Sequence, residues 1–338
     1  MKREVHFVGS IRLESAEEVF KAIAERVGAR APRWPDGETG ERHYWIVWQG
    51  NVFKSHPAFE QDEQPLRPGS PVKPFRLKEG AEAADLAFGP LGYSAAAKES
   101  YGVFSRLRDE GVVPPTTRFM VALPTPTAVV TAFVHPDVRP AVIGPYEAAM
   151  ARERDEIVEA VPNEDLAIQW DVMHEVVAND GGPFELHYGD VFGGTIERLK
   201  ALSARIPEAV DLGFHLCYGD PGHKHIIEPA NLGTSVKFAN AIVSEIGRRI
   251  DWIHMAVPRD RTDDAYFAPL ERLDLPAATS LVLGLIHHTD GIEGTRRRIE
   301  TAERHRKDFS IATECGFGRR EPSTMLELLD IHAAVADG

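Results

Sequence analysis

Short apolar runs alternate along the chain with longer stretches whose apolar residues recur at helical spacing. The runs lie at 4–9, 31–35, 117–123, 166–171, 211–217, 251–257, 280–286 and 308–313, eight in all. Helical patterns occupy 15–27, 146–160, 193–205, 234–249, 294–305 and 323–335. The first of these shows the logic. Ala16, Val19, Phe20, Ile23 and Val27 share one face, Ser15 stands at the N-cap position, and Glu18 follows three residues on, as in a capping box. Strands joined by crossover helices pair in parallel, because each helix covers one face of the sheet. Eight such units predict an α/β fold of the (β/α)8 TIM-barrel type. The other arrangement, an open doubly wound sheet, calls for a Gly-rich phosphate turn after the first strand, and Val8-Gly9-Ser10-Ile11-Arg12 is not one. Residues 51–92 break the pattern. They carry Pro57, Pro65, Pro68, Pro71, Pro74 and Pro90 and read as a long irregular excursion after the second strand. Neither flank is a complete domain, so the chain reads as one barrel domain over 1–338.

Composition narrows the function classes. With 38 Lys and Arg against 52 Asp and Glu in 338 residues the net charge is −14, which argues against a nucleic-acid or anionic-membrane partner. Arg296-Arg297-Arg298 reads as a solvated helix face. No apolar run approaches the roughly 18 residues of a membrane span. The start of the chain lacks the apolar region of a secretion signal, so a cytoplasmic protein is expected. Only two cysteines occur, Cys217 and Cys315, and in a reducing compartment both are expected to be working thiols.

In TIM barrels the chemistry sits at the C-terminal ends of the strands. The polar residues there are Ser10, Asp36, Glu38, Asp171, Glu175, His215, Cys217, His254, His287 and Cys315. His215 and Cys217 are two apart on one strand and share a face, and Cys315 approaches from the end of the eighth run. One imidazole and two thiolates suit Zn²⁺, and three protein ligands with a fourth position open describe a catalytic site rather than a structural one. The blander reading is two buried cysteines beside a core histidine. The second cysteine at another strand end, ahead of a Gly-rich turn, favours the metal. The five tryptophans read as core or pocket walls, with Trp45 and Trp170 as candidates for a lid over an apolar alkyl group. His223 and His225 read as part of an exposed, solvated loop, and at most one of His287 and His288 faces the barrel centre.

His215-Leu216-Cys217-Tyr218 together with Cys315-Gly316-Phe317 resembles the cobalamin-independent methionine synthases and their relatives, the zinc-dependent thiol alkyltransferases, a group that includes epoxyalkane:coenzyme M transferase. Other segments agree in order. Val8-Gly9-Ser10 resembles the family's first strand and Gly-Ser turn, Asp36-Gly37-Glu38 with Arg42 and Trp45 its Asp-Gly-Glu…Arg…Trp segment, and Ile168-Gln169-Trp170-Asp171 its Gln-x-Asp strand. The resemblance runs from Val8 to about Arg320. It implies the uroporphyrinogen decarboxylase/methionine synthase type of barrel. It also implies zinc on His215, Cys217 and Cys315, and thiol-substrate contacts at Ser10, Glu38 and Asp171, to which Asp36, Arg42 and Glu175 are added as candidates. Proton transfer falls to His287, with His288 as its competitor, or to Asp171 or Glu38. The family's glutamate ligand at the end of the sixth strand aligns with Ala256, and His254, two residues earlier on the same face, is the tentative substitute. The chain has only the catalytic half of the long methionine synthases, so a folate methyl donor is doubtful; a corrinoid protein, an epoxide or an aryl methyl ether are other alkyl donors. The resulting expectation is a zinc-dependent transferase moving a methyl or alkyl group to or from a small thiol. Two alternatives stand beside it. One is a metal-independent barrel lyase or decarboxylase using His215, Asp171 and Glu38 for acid–base work. The other is a non-catalytic metal- or thiol-binding barrel.

Overall fold

The computed structural model describes residues 2–65, 72–82 and 86–337. Pro68 and Pro71 of the excursion lie outside them. In chain order the strands are β1 (Arg33–Pro35), β2 (Phe59–Gln61), β3 (Phe75–Leu77), β4 (Arg118–Pro124), β5 (Leu166–Val172), β6 (Asp211–Leu216), β7 (Trp252–Ala256), β8 (Ser280–Ile286) and β9 (Ser310–Thr313). The helices are α1 (Ala16–Arg26), α2 (Gly50–Ser55), α3 (Tyr93–Asp109), α4 (Pro126–Phe133), α5 (Arg139–Ala160) and α6 (His174–Asn179). They continue with α7 (Val191–Ser203), α8 (Gly233–Glu245), α9 (Asp264–Phe267), α10 (Gly291–His305) and α11 (Met325–Ala336). Seven strands form one parallel sheet in the order β1-β4-β5-β6-β7-β8-β9. All seven residues of β5 are buried, as in a parallel strand covered on both faces.

The expected first strand, 4–9, takes another form. It makes one parallel bridge, Val5 to Ile311. Its backbone nevertheless serves both ends of the sheet. Ile311 N–H donates to Glu4 O at 3.0 Å, His6 N–H to Ile311 O at 2.9 Å, and Val5 N–H to Arg30 O at 2.9 Å, just ahead of β1. Arg3 fixes the start of the segment: it is buried, lies over the Phe309 ring at 3.9 Å and donates to Phe309 O at 2.7 Å. Among the described residues the sheet is thus a curled run of seven parallel strands, with the segment at 4–9 bridged to β9 and bonded to Arg30 just ahead of β1.

Ser15 caps α1 as its position predicts, its Oγ accepting from Glu18 N–H at 3.2 Å, while the Glu18 carboxylate accepts from Glu14 N–H. The helix expected at 146–160 begins seven residues earlier, at Arg139, and contains Pro145. The excursion is more ordered than its prolines suggest. It holds α2 and an antiparallel hairpin of β2 and β3, tied back by a bridge from Phe75 to Val134. Phe53 anchors it, with its ring 5.4 to 6.0 Å from those of Phe59, Phe75, Phe88, Phe133 and Tyr146. Arg298 is not on a solvated face. It is fully buried, with Nε donating to Leu285 O at 2.7 Å and the guanidinium paired with Asp290. Among the described residues no helix is long and apolar enough to cross a membrane.

Candidate metal centre and cavity

Strand register sets the site. Asp171 on β5 pairs with His215 on β6, and His215 with His254 on β7, so three polar side chains stand in a row across adjacent strands. Cys217 follows just past the end of β6, two residues from His215 and on the same face. Cys315 follows two residues after β9, where the Thr313 Oγ1 donates to Cys315 O at 2.7 Å and shapes the turn. The Gly-Phe-Gly that comes next allows a close approach. A Cβ on Gly316 would lie 2.5 Å from Ser10 Oγ, and one on Gly318 would lie 2.4 Å from His43 O. Ser10 Oγ accepts from Gly318 N–H at 3.2 Å.

His215, Cys217 and Cys315 meet, their ligand atoms all within 4.8 Å of one another. The two thiols are unoxidised, with their sulfurs 3.8 Å apart. Two sulfurs at ~2.3 Å from one tetrahedral zinc would be separated by about 3.8 Å. The imidazole is aimed by a relay. Burial, reinforced by His215 and His6, holds His254 well below the usual histidine range, so its ring is neutral. His254 Nε2–H donates to Thr313 O at 3.0 Å, which leaves Nδ1 as an acceptor facing His215 Nδ1 at 2.7 Å. His215 must then carry its proton on Nδ1, and its Nε2 presents a lone pair. That Nε2 is buried with no hydrogen-bond partner among the described residues. An orphaned buried acceptor beside two thiols is the donor set that zinc satisfies. His254 is not a fourth donor, because both of its ring nitrogens are engaged behind His215.

The thiols are polarised in opposite directions. A hydrogen bond from Cys217, then the Arg319 guanidinium, pull Cys315 well below the usual thiol range. That same bond and burial push Cys217 up. Arg319 Nη2 lies 3.2 Å from Cys315 Sγ, and its Nε donates to Asp220 O at 2.9 Å. Cys217 Sγ accepts from Gly219 N–H at 3.1 Å. Arg319 was missed in the sequence, where nothing periodic singles it out four residues beyond the cysteine.

The donor triangle forms part of the floor of a cavity of about 460 Å³. Ser10, Glu38, Asp171 and Trp45 are among the residues that line it. Asp171 accepts from Trp45 Nε1 and Gln169 Nε2, both at 2.9 Å, yet burial pushes it up to about 6. Gln169 also bonds His6 Nε2 at 2.9 Å, so the polar row continues into the interior of the curled sheet. Burial, then the Asp171 charge, holds Glu38 well above the usual carboxylate range.

Other expected site residues lie elsewhere. Asp36 sits one step behind Glu38. Despite burial, Arg42 at 2.7 Å and hydrogen bonds from Glu38 N–H and Ser100 Oγ hold it below the usual range. Arg42 is thereby committed to Asp36. Glu175 is outside the cavity lining, where it accepts from Thr125 Oγ1 at 2.5 Å and burial pushes it up to about 7. His287 also lies outside the lining. Its Nε2 donates to Val257 O at 2.9 Å and its Nδ1 faces Glu314 at 3.3 Å, while His288 pairs with Glu327 towards solvent. The His225 side chain is buried and not solvated, 3.2 Å from Glu314. Trp170 is fully buried and does not reach the cavity.

No protein-family model matches the chain, and no curated protein sequence matches it. Solved structures do. A Listeria monocytogenes protein assigned as a vitamin-B12 independent methionine synthase superposes with a TM-score of 0.56 at 13% identity, covering 95% of this chain and 86% of that one. A methyltransferase from Methanosarcina mazei superposes with a TM-score of 0.56 at 14% identity, covering 99% of this chain and 94% of that one. At such identities the likeness establishes a shared fold.

Proposed function

We propose that the chain is an enzyme that transfers a methyl or alkyl group to or from a thiol at a zinc centre held by His215, Cys217 and Cys315. The observation that carries this reading is the buried, unpartnered Nε2 of His215 facing two thiols at zinc-like spacing on the floor of a sizeable cavity. The two structural neighbours, one a methyltransferase and one assigned as a methionine synthase, support the same class. The extended segment at 4–9 is read as the eighth stave of the barrel. Bound there, Zn²⁺ would supply a Lewis acid that favours loss of the proton from an incoming thiol.

The chain's own residues do the rest. Arg319 offsets negative charge at Cys315. The substrate sulfur forms a bond to the alkyl carbon while the bond from that carbon to its leaving group breaks, and the electron pair stays on the leaving group. Glu38, held well above the usual carboxylate range by burial and then the Asp171 charge, protonates that group, with Asp171, pushed up to about 6, as the second candidate. His287 is too far engaged with Glu314 and Val257 to be the first choice. Trp45 and the apolar wall exclude water. Elemental analysis of the purified protein should give one zinc per chain. Cys217→Ser and Cys315→Ser should each lose it and reduce transfer at least ~100-fold. A chain that cannot be loaded with zinc sinks the reading.

A further inference from the structure

We infer that the cavity takes a thiol whose carbon skeleton is apolar and uncharged, an aryl or branched alkyl thiol, and rejects thiols that carry a carboxylate or sulfonate tail. The inference rests on the reading of the site above and specifies its substrate class. Above the polar floor, the wall is made by Ile46, Val47, Phe133, Met173, Phe184 and Ile226. The apolar character continues to the rim, where Tyr44 is 43% and Val47 56% exposed. Large apolar side chains left in water beside a cavity point to an apolar ligand.

The charges point the same way. Among the described residues the lining contains no lysine and one arginine, Arg319. That arginine is held between Cys315 Sγ and Asp220. Arg42, the other cation near the site, is paired with Asp36 behind Glu38. The lining carries three carboxyl groups, Glu38, Asp171 and Asp220. His215 belongs to the donor triangle, and His174 is stacked on Trp45 with ring centroids 5.9 Å apart. A substrate anion entering this cavity would lose its hydration and find no free counter-charge among the described lining residues, a penalty that an apolar group of the same shape avoids.

Calorimetric titration of the metal-free chain with 4-methylbenzenethiol, 4-mercaptobenzoate and p-xylene, buffered between the carboxyl and thiol pKa values of the probes so that the thiols stay protonated and the carboxylate ionised, tests this without any turnover. The first two probes have nearly the same shape and differ in charge; the third lacks sulfur. The expected result is binding of p-xylene and 4-methylbenzenethiol, with 4-mercaptobenzoate at least tenfold weaker. Val47→Lys, at an exposed rim position, should narrow that gap by supplying a cation. Equal or tighter binding of 4-mercaptobenzoate overturns the inference, as does a gap unchanged in Val47→Lys or failure of both neutral probes to bind. The zinc reading fails separately, by metal content, even if both neutral probes bind.

Discussion

His254 has both ring nitrogens engaged, one on Thr313 O and one on His215, and so controls which nitrogen of His215 is free. Replacing it by Ala should leave the His215 ring free to turn and to change tautomer. Zinc affinity, measured by chelator competition, should fall about 10- to 100-fold, as it does when second-row partners of metal-binding histidines are removed. An unchanged affinity would assign the imidazole's orientation to packing alone. Glu175 makes a separate prediction about pH. Its carboxyl is pushed up to about 7 by burial, above its unfolded value, so the folded state holds the proton more tightly than the unfolded one. Its contribution to stability is therefore greatest below pH ~4.5 and declines as pH rises towards 7, by up to about 3 kcal/mol. Urea unfolding of Glu175→Gln beside the native chain should show the variant gaining on the native protein across that window. A stability difference that does not change with pH would contradict the burial argument.

At the scale of elements, the parallel strands from β4 to β9 were legible because each combines an apolar run with a following helix. The register of β5, β6 and β7 then placed Asp171, His215 and His254 side by side, so the donor triangle could be anticipated from strand ends. The excursion could not. Its order comes from rings brought together by tertiary packing around Phe53, and the three-residue strands β2 and β3 are too short to leave a periodic signal. Phe53→Ala should cost about 3–5 kcal/mol in urea unfolding, the usual range for a fully buried phenylalanine. A cost near zero would mean that the hairpin holds without its anchor. Arg319 and the Glu314 contacts with His225 and His287 were hidden for a related reason. They depend on how loops after β6, β8 and β9 converge, and no spacing along the chain encodes that.

For the molecule as a whole, strand count alone suggested a closed barrel of eight strands, and the described residues form a curled parallel sheet of seven. A sequence pattern shows that residues 4–9 are apolar and extended, but not that they make only one bridge. The cavity likewise belongs to the assembled fold, its floor drawn from strand ends and its wall from α4, α6 and the turns at 40–49 and 219–226. The join between Val5, Arg30 and Ile311 has a consequence for how the protein is made. Residues 3–6 are completed by partners more than three hundred positions later. On the ribosome this segment must wait for its Ile311 and Phe309 partners until β9 has emerged, since such distant contacts form only once both partners are present. Maturation of the site is tied to the same moment, because Cys315 follows directly behind the strand that Val5 bridges.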